Sequence, residues 1–325
     1  MKASVIIPTK NPGPVFRRVI EAVLDQEVSF AFDVLVIDSG SQDGTLGFVE
    51  GLCDDRVRLV SIPPATFGHG KTRNLAISKT SGEYAVMLTH DAMPADSHWL
   101  ANMVSAVEQD DAIAGVFGRH LAYPEADAFT ADELERHFEG FRESPIVGID
   151  SQEEYDRSEP YRQFLHFFSD NNALIRRSVW SLYPYPEVDF AEDQLWAKTI
   201  IEKGFKKAYS HEGAVFHSHN YRLIERLQRS FDEAYAFRRL FGYRVCGNFS
   251  ALLRGWSALT FHDARFALDR KVWRTDPMGT LHRLFENLVR VAGSFLGSHG
   301  DRLPSKLKKW LSWDNRLLLG LKRST

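Results

Sequence analysis

Ser4-Val5-Ile6-Ile7-Pro8-Thr9-Lys10-Asn11 and Asp33-Val34-Leu35-Val36-Ile37-Asp38-Ser39-Gly40-Ser41-Gln42-Asp43-Gly44-Thr45 are the stretches whose reading decides the fold. Each begins as an apolar, β-branched run and stops at turn residues. An unbroken apolar run with such punctuation reads as a strand buried on both faces. Between them, Pro14–Gln26 places Val15, Val19, Ala22 and Val23 at helical spacing, with Pro14 suited to a first turn. The alternation continues outward. A helix opened by Asp43-Gly44 runs to Leu52, Val57–Ile62 is a strand, and Gly70–Ser78 is a helix. Tyr84–Leu88 is a strand, Trp99–Glu108 a helix and Ile113–Phe117 another strand. Repeated β-α units imply an α/β fold with a parallel sheet covered on both faces. Ligands then bind at the C-terminal strand ends, where Pro8-Thr9, Asp38-Ser39 and Thr89-His90-Asp91 fall.

Farther along, Pro124–Pro160 is acidic and weakly periodic, and reads as an inserted lid or acceptor-side segment with a helix at Ala131–Phe138. Sheet character returns at Asn172–Ile175. Ala191–Lys203 is a helix with carboxylates in its first turn, and Ala214–Phe216 a short strand ending in His217-Ser218-His219. After Tyr221 only helical patterns follow, near 221–241, 247–260, 278–297 and 304–320. The expected domains are 1–220 and 221–325.

Composition narrows the function. The 325 residues are 44% hydrophobic and 26% charged, enough for a substantial core and unlike a disordered chain. A net charge of −3 gives no global attraction to nucleic acid. Cys53 and Cys246 form no zinc, redox or disulfide pattern, which points to a reducing compartment. No apolar stretch reaches membrane-span length, and Leu281–Leu296 is interrupted by Arg283, Glu286 and Arg290. The expected location is cytoplasmic, with peripheral contact on the inner membrane face. That contact is expected from residues 302–325, which carry seven Lys or Arg against one Asp beside Trp310 and Trp313. Packing against the core or a second subunit is the alternative for so Leu-rich a helix.

There is no Gly-x-Gly-x-x-Gly after the first strand and no P-loop, since Gly70-Lys71-Thr72 has Ala65 where that motif needs its first glycine, which disfavours dinucleotide dehydrogenases and P-loop NTPases. Asp38 at a strand end could accept from a pyrimidine N–H or a ribose hydroxyl, or simply organise a turn. Gly68-His69-Gly70-Lys71-Thr72-Arg73-Asn74 joins flexible backbone, two cations and a helix start, which suits a diphosphate. A solvated loop is the plain reading. Asp91 could hold a divalent ion that bridges a nucleotide diphosphate, and one of His217 and His219 could complete a mixed O/N site. Glu192-Asp193 opens a helix, where an acid either stabilises the N-terminus or takes a proton from an attacking sugar hydroxyl.

Taken in order, Ser4-Val5-Ile6-Ile7-Pro8-Thr9, Val36-Ile37-Asp38-Ser39-Gly40-Ser41-Gln42-Asp43-Gly44-Thr45, Thr89-His90-Asp91 and Glu192-Asp193 resemble the family 2 inverting glycosyltransferases of GT-A fold. Phe67-Gly68-His69-Gly70-Lys71-Thr72-Arg73-Asn74, Ala191-Glu192-Asp193-Gln194-Leu195-Trp196 and His217-Ser218-His219-Asn220-Tyr221 narrow the likeness to bacterial rhamnosyltransferases of polysaccharide assembly. The resemblance implies a Rossmann-like, nucleotide-binding mixed sheet flanked by helices, with a helical C-terminal appendage. It implies Asp193 as general base supported by Glu192. Pro8, Thr9, Asn11, Asp38, Lys71, Arg73, His90 and Asn172 would bind the donor. Mg2+ or Mn2+ would sit on Asp91 and His217, with His219 as the alternative. Thr89 departs from the family's paired metal acids. The implied partners are a nucleotide-sugar donor, dTDP-β-L-rhamnose first, and a lipid-linked glycan acceptor, in a chain able to form homo-oligomers. Trp180, Trp196, Phe190 and Phe168 could wall the 6-methyl group of a deoxysugar. A UDP-sugar donor, or an inactive glycan-binding protein of this fold, remain the alternatives.

Overall fold

Alternating small and β-branched residues give the first strands two apolar faces, and the sheet has a layer of helices against each. The computed structural model describes residues 1–188 and 190–313. Nine strands form one sheet: β1 Ala3–Thr9, β2 Phe32–Asp38, β3 Val57–Ser61, β4 Tyr84–Leu88, β5 Met93–Pro94, β6 Ile113–Leu121, β7 Ile146–Val147, β8 Asn172–Arg176 and β9 Lys206–Phe216. Their order is β3-β2-β1-β4-β8-β6-β9-β5, with β7 paired to β9. One face carries Val5, Ile7, Val34, Val36, Val86 and Leu88 against the helices Val15–Leu24 and Trp99–Val107. The other carries Ile6, Leu35, Ile37, Ala85 and Met87 against His69–Ser78 and Glu192–Glu202.

The sheet is mixed, not wholly parallel as the β-α repeats suggest. β1, β2, β3 and β4 are parallel, and β6 is parallel to β9. β8 runs antiparallel to both β4 and β6, with Leu88 opposite Asn172. The consequence positions the site. The C-terminal ends of β1, β2, β4, β6 and β9 share one edge with the N-terminal end of β8.

β9 is eleven residues long, far more than the Ala214–Phe216 expected. Its first turn of sequence, Lys206-Lys207, hides it. Lys207 is fully buried; its Nζ donates to the Phe164 carbonyl at 2.7 Å and also to that of Phe167, and it lies 5.2 Å from the Phe117 ring centroid. Burial holds its pKa well below the ordinary lysine value.

The chain separates into two compact units, Met1–Pro124 with Leu134–Ser218, and Glu125–Glu133 with the residues from His219 onward. The stretch expected as a lid is thus divided, and most of it belongs to the sheet unit. The second unit is helical, with Leu223–Leu240, Phe249–Asp269, Pro277–Ser298 and Ser305–Leu311 as its main elements. Asn248 and Asp276 cap two of them by accepting from the backbone N–H groups of Ala251 and Gly279. Gly293 and Gly297 let Pro277–Ser298 approach the Leu227 and Phe231 carbonyls of Leu223–Leu240. Of the C-terminal segment expected to contact a membrane, residues 314–325 lie outside the described residues. Among the described residues, no helix is long and apolar enough to cross a membrane.

Candidate active site

Two loops leave the ends of β1 and β2 and are stitched to each other. Asn11 adopts a left-handed φ of 46°, which Asn tolerates better than most side chains. Its N–H donates to Ser41 Oγ at 2.7 Å, and its Oδ1 accepts from Gln42 N–H at 2.7 Å. Thr9 Oγ1 donates to Asp38 Oδ2 at 3.1 Å. Asp38 also accepts from Ser41 Oγ and from the N–H groups of Gly40 and Ser41. Burial opposes ionisation of Asp38, but these hydrogen bonds outweigh it and hold its pKa below the usual range. Asp38 is therefore a wholly buried knot within the loop. Its acceptor positions are engaged by hydroxyl and N–H groups of the chain itself.

After β4, His90 Nδ1 lies 3.4 Å from the Pro8 carbonyl oxygen, so the β4 loop abuts the β1 loop. Asp91 follows, and its Oδ1 is 3.6 Å from Nε2 of His217, the first residue beyond β9. Pairing of β5 with β9, Met93 opposite Phe216, brings these strand ends together. Tyr123 Oη donates to the Asp91 carbonyl at 3.0 Å, and His217 N–H donates to Leu121 O at 2.8 Å. The Asp91 side chain keeps 27% of its exposure and His217 10%. One carboxylate oxygen and one imidazole nitrogen at a solvent-reachable strand edge form a donor set suited to a divalent metal. His219 opens the longer of the two segments of the second unit.

The acidic part of the site is built by a glycine. A Cβ at Gly70 would collide with the Pro186 carbonyl oxygen and lie 3.5 Å from Glu192 Cβ. Without a side chain there, His69–Ser78 lies close against the segment that leads into Glu192–Glu202. Arg73 is thereby buried among acids. Its guanidinium pairs with Glu192 Oε1 and, at 2.9 Å, with Asp170 Oδ2. Tyr185 Oη donates to Asp170 Oδ1 at 2.8 Å. Asp193, half-buried, accepts from Asp170 N–H at 3.2 Å and from Gln194 N–H at 2.8 Å. Burial and the neighbouring Glu192 carboxylate push Asp193 up to about 7, against the pull of Arg73. Burial likewise pushes Asp170 up to about 7. Three carboxylates share one guanidinium, so the cluster retains a proton near neutrality.

Arg73 and Asn172 are both buried and bound to other groups of the chain. Arg73 is engaged with Asp170 and Glu192, partners about a hundred residues away that no local pattern reveals. Asn172 is wholly buried. Its Oδ1 accepts from Trp99 Nε1 at 2.9 Å, and its Nδ2 donates to the Gly213 carbonyl at 2.7 Å. It is a cross-link in the core. Trp196 and Phe168 are also core, packed at 5.4 Å between ring centroids. Trp180 Nε1 donates to Asn74 Oδ1 at 2.8 Å. Lys71 is exposed. Asp170 and Tyr185 escaped the sequence reading; Asp170, just before β8, had only its strand-end position to mark it.

The model of glycosyl transferase family 2 matches residues 4–182. The chain is 30% identical to the O-antigen chain rhamnosyltransferase RfbN of Salmonella typhimurium, over 97% of each chain. It is 26% identical to the O-antigen chain rhamnosyltransferase WbaN of Salmonella anatum, over 96% of each. Among solved structures, the mannosyltransferase PcManGT from Pyrobaculum calidifontis, in complex with GDP-Man and Mn2+, shares the fold with a TM-score of 0.61. That match covers 91% of this chain and 86% of that one, at 17% identity. With more than half of its length matched and a near-full-length relative at 30% identity, the chain belongs to glycosyl transferase family 2, with a GT-A sheet and a helical C-terminal region.

Proposed function

We propose that the chain transfers L-rhamnose from dTDP-β-L-rhamnose to a hydroxyl of a lipid-linked polysaccharide, with inversion to an α-L-rhamnoside. The observation that carries the sugar and the acceptor is the likeness to two O-antigen chain rhamnosyltransferases along nearly the whole of each chain. In this reading Pro8, Thr9, Asn11 and the knot at Asp38 frame the nucleoside, and His90 and the exposed Lys71 lie on the diphosphate side. Asp91 and His217 would hold Mg2+ or Mn2+, which neutralises charge on a leaving diphosphate. A donor complex with Mn2+ in a protein of the same fold supports that assignment.

Asp193 takes the acceptor proton. A carboxylate whose pKa lies near the working pH combines enough ionised form with enough basicity. The acceptor oxygen bonds to the anomeric carbon from the face opposite the diphosphate. The anomeric C–O bond breaks and its electron pair leaves with the diphosphate, so one displacement inverts the centre. Arg73 acts through the acids: it holds Glu192 and Asp170, and the Asp170 N–H in turn orients Asp193.

The test is a panel of dTDP-, UDP- and GDP-sugars offered with a lipid-linked acceptor, with and without chelator, reading nucleotide diphosphate release. The expected result is preferential turnover of dTDP-β-L-rhamnose, lost in excess chelator and restored by Mg2+ or Mn2+. Preference for a UDP-hexose refutes the sugar, and undiminished activity in chelator refutes the metal role of Asp91 and His217.

A further inference from the structure

The second unit differs from the first in its surface. Of sixteen large apolar side chains exposed among the described residues, thirteen belong to it. Residues 221–325 carry 20 Lys and Arg against 9 Asp and Glu, whereas residues 1–220 carry 20 against 34. The overall charge of −3 hides this division.

The apolar exposure concentrates at one end of a helical hairpin. Phe249–Asp269 and Pro277–Ser298 run antiparallel: Gly255 faces Val291, and Asp263 accepts from Arg283 Nε at 2.7 Å and from Asn287 Nδ2 at 2.8 Å. The turn between them, with the helix ends beside it, exposes Phe261 (72%), Leu268 (63%), Trp273 (43%), Met278 (73%), Leu281 (63%) and Phe285 (54%). Met278, Leu281 and Phe285 follow i, i+3, i+7 spacing and so share one face of their helix. Arg265, Arg270, Lys271 and Arg274 occupy the same stretch. Its three acids are engaged locally, Asp263 buried against Arg283 and Asn287, Asp269 with Arg265 at 3.5 Å, and Asp276 as the cap of the following helix.

We propose that this hairpin end, residues 261–285, docks on the surface of an anionic lipid bilayer. The chemistry asks for a partner that is apolar within and negative at its boundary. Projecting aromatic and aliphatic side chains can enter the acyl boundary while Arg and Lys remain among anionic headgroups. A second copy fits poorly, because a two-fold contact sets a basic surface against itself. Neither helix is long and apolar enough to cross a membrane. The surface would act in the same way whichever sugar the first unit transfers.

Flotation of the full chain with phosphatidylcholine vesicles, with and without phosphatidylglycerol, tests this. The intact chain should bind the phosphatidylglycerol vesicles and leave the neutral ones. Trp273→Ser/Met278→Ser/Leu281→Ser and, separately, Arg270→Gln/Lys271→Gln/Arg274→Gln should each lower partitioning at least about tenfold. Because the altered side chains are exposed, both variants should melt like the parent. Failure of the intact chain to bind anionic vesicles overturns the proposal, as does full binding by the apolar variant. Loss confined to Trp310→Ser/Trp313→Ser would assign the contact to the C-terminal segment instead. A concentration-dependent dimer that the apolar variant dissociates, without vesicle binding, would give the surface to a second copy and equally reject docking.

Discussion

Each unit contains a buried arginine in a nest of carboxylates, yet the two nests have opposite electrostatics. In the sheet unit the Arg73 guanidinium faces Asp170, Glu192 and Asp193, and His69 Nδ1 lies 4.0 Å from Glu192. In the helical unit Arg283 pairs with Glu133, Asp263 and Glu286, while Arg226 and Arg290 supply two more cations. Burial penalises charge in both. What differs is the count: three acids on one guanidinium against three acids on three. Asp170 and Asp193 are accordingly pushed up to about 7, whereas Glu133, opposed by burial but held by Arg290 and Arg283, is brought down to about 2. A nest short of cations keeps a proton that it can exchange near neutrality. A balanced nest holds its acids ionised and serves as scaffold. Burial opposes ionisation in both nests, and the guanidinium groups at hand decide how far it is offset.

The hardest way to break that distinction is to remove the exchangeable site. Asp193→Asn is nearly isosteric and keeps an acceptor for the Asp170 N–H, but it has no basicity. Turnover should fall about 10²–10⁴-fold with donor affinity changed only a few-fold. In the parent enzyme turnover should rise with pH through about 7, since the working form is the carboxylate. Steady-state kinetics across pH reads both. A variant retaining most of its turnover removes Asp193 from the role of base.

Removing the cation from each nest is the next contrast. Arg283→Gln strands Asp263 and Glu133 without their shared partner and should cost about 3–5 kcal/mol, read by denaturant unfolding. Arg73→Gln leaves acids that already tend to hold protons, so part of its cost should vanish on acidification. Its second signature is catalytic: without the cation, the rising limb of turnover against pH should move to higher pH. Equal, pH-independent losses in the two variants would erase the distinction between the nests.

The sequence made the strands and loops of this site far more legible than its side-chain partners. β1, β2 and β4 announce themselves as apolar runs that end at Thr9, Asp38 and Leu88, and parallel order puts those ends on one edge. Asp91 and His217 follow β4 and β9, so reading the strands brings both to that edge. The contacts of Arg73 are less legible. A cation after two glycines satisfies a diphosphate pattern as well as a salt-bridge pattern, and the choice depends on Glu192, 119 residues away. The contacts of Asn172 are hidden in the same way, since its partners Trp99 and Gly213 come from other elements. β9 was truncated because periodicity rules assign a lysine outward, whereas Lys207 is held inside by two carbonyls and a ring of phenylalanines. Backbone pattern is local; the satisfaction of buried polar groups is not.

The smallest effect sharpens the comparison most, because the two nests should respond to pH with opposite signs. Glu133 has a folded pKa of about 2 against an ordinary value of 4.5. Its stabilisation is therefore complete above pH 4.5 and is lost as pH falls toward 2. Given the solvent that still reaches its side chain, the contribution is about 2 kcal/mol. Asp170 is raised from 3.8 to about 7. Its favourable contribution is complete below pH 3.8 and is lost as pH rises through 7, because ionisation then meets a buried, acid-rich surrounding. Melting temperatures of Glu133→Gln and Asp170→Asn, compared with the parent chain from pH 3 to pH 8, read the two signs separately. The deficit of Glu133→Gln should shrink as pH drops below 4.5. The balance between Asp170→Asn and the parent should shift toward the variant as pH climbs from 4 to 7. Constant offsets, whatever their size, measure lost contacts and leave the slopes untouched. Parallel curves for either variant would mean that the carboxylate concerned titrates alike in the folded and unfolded chain, and the contrast between an exchanging nest and a locked one would fail at that residue.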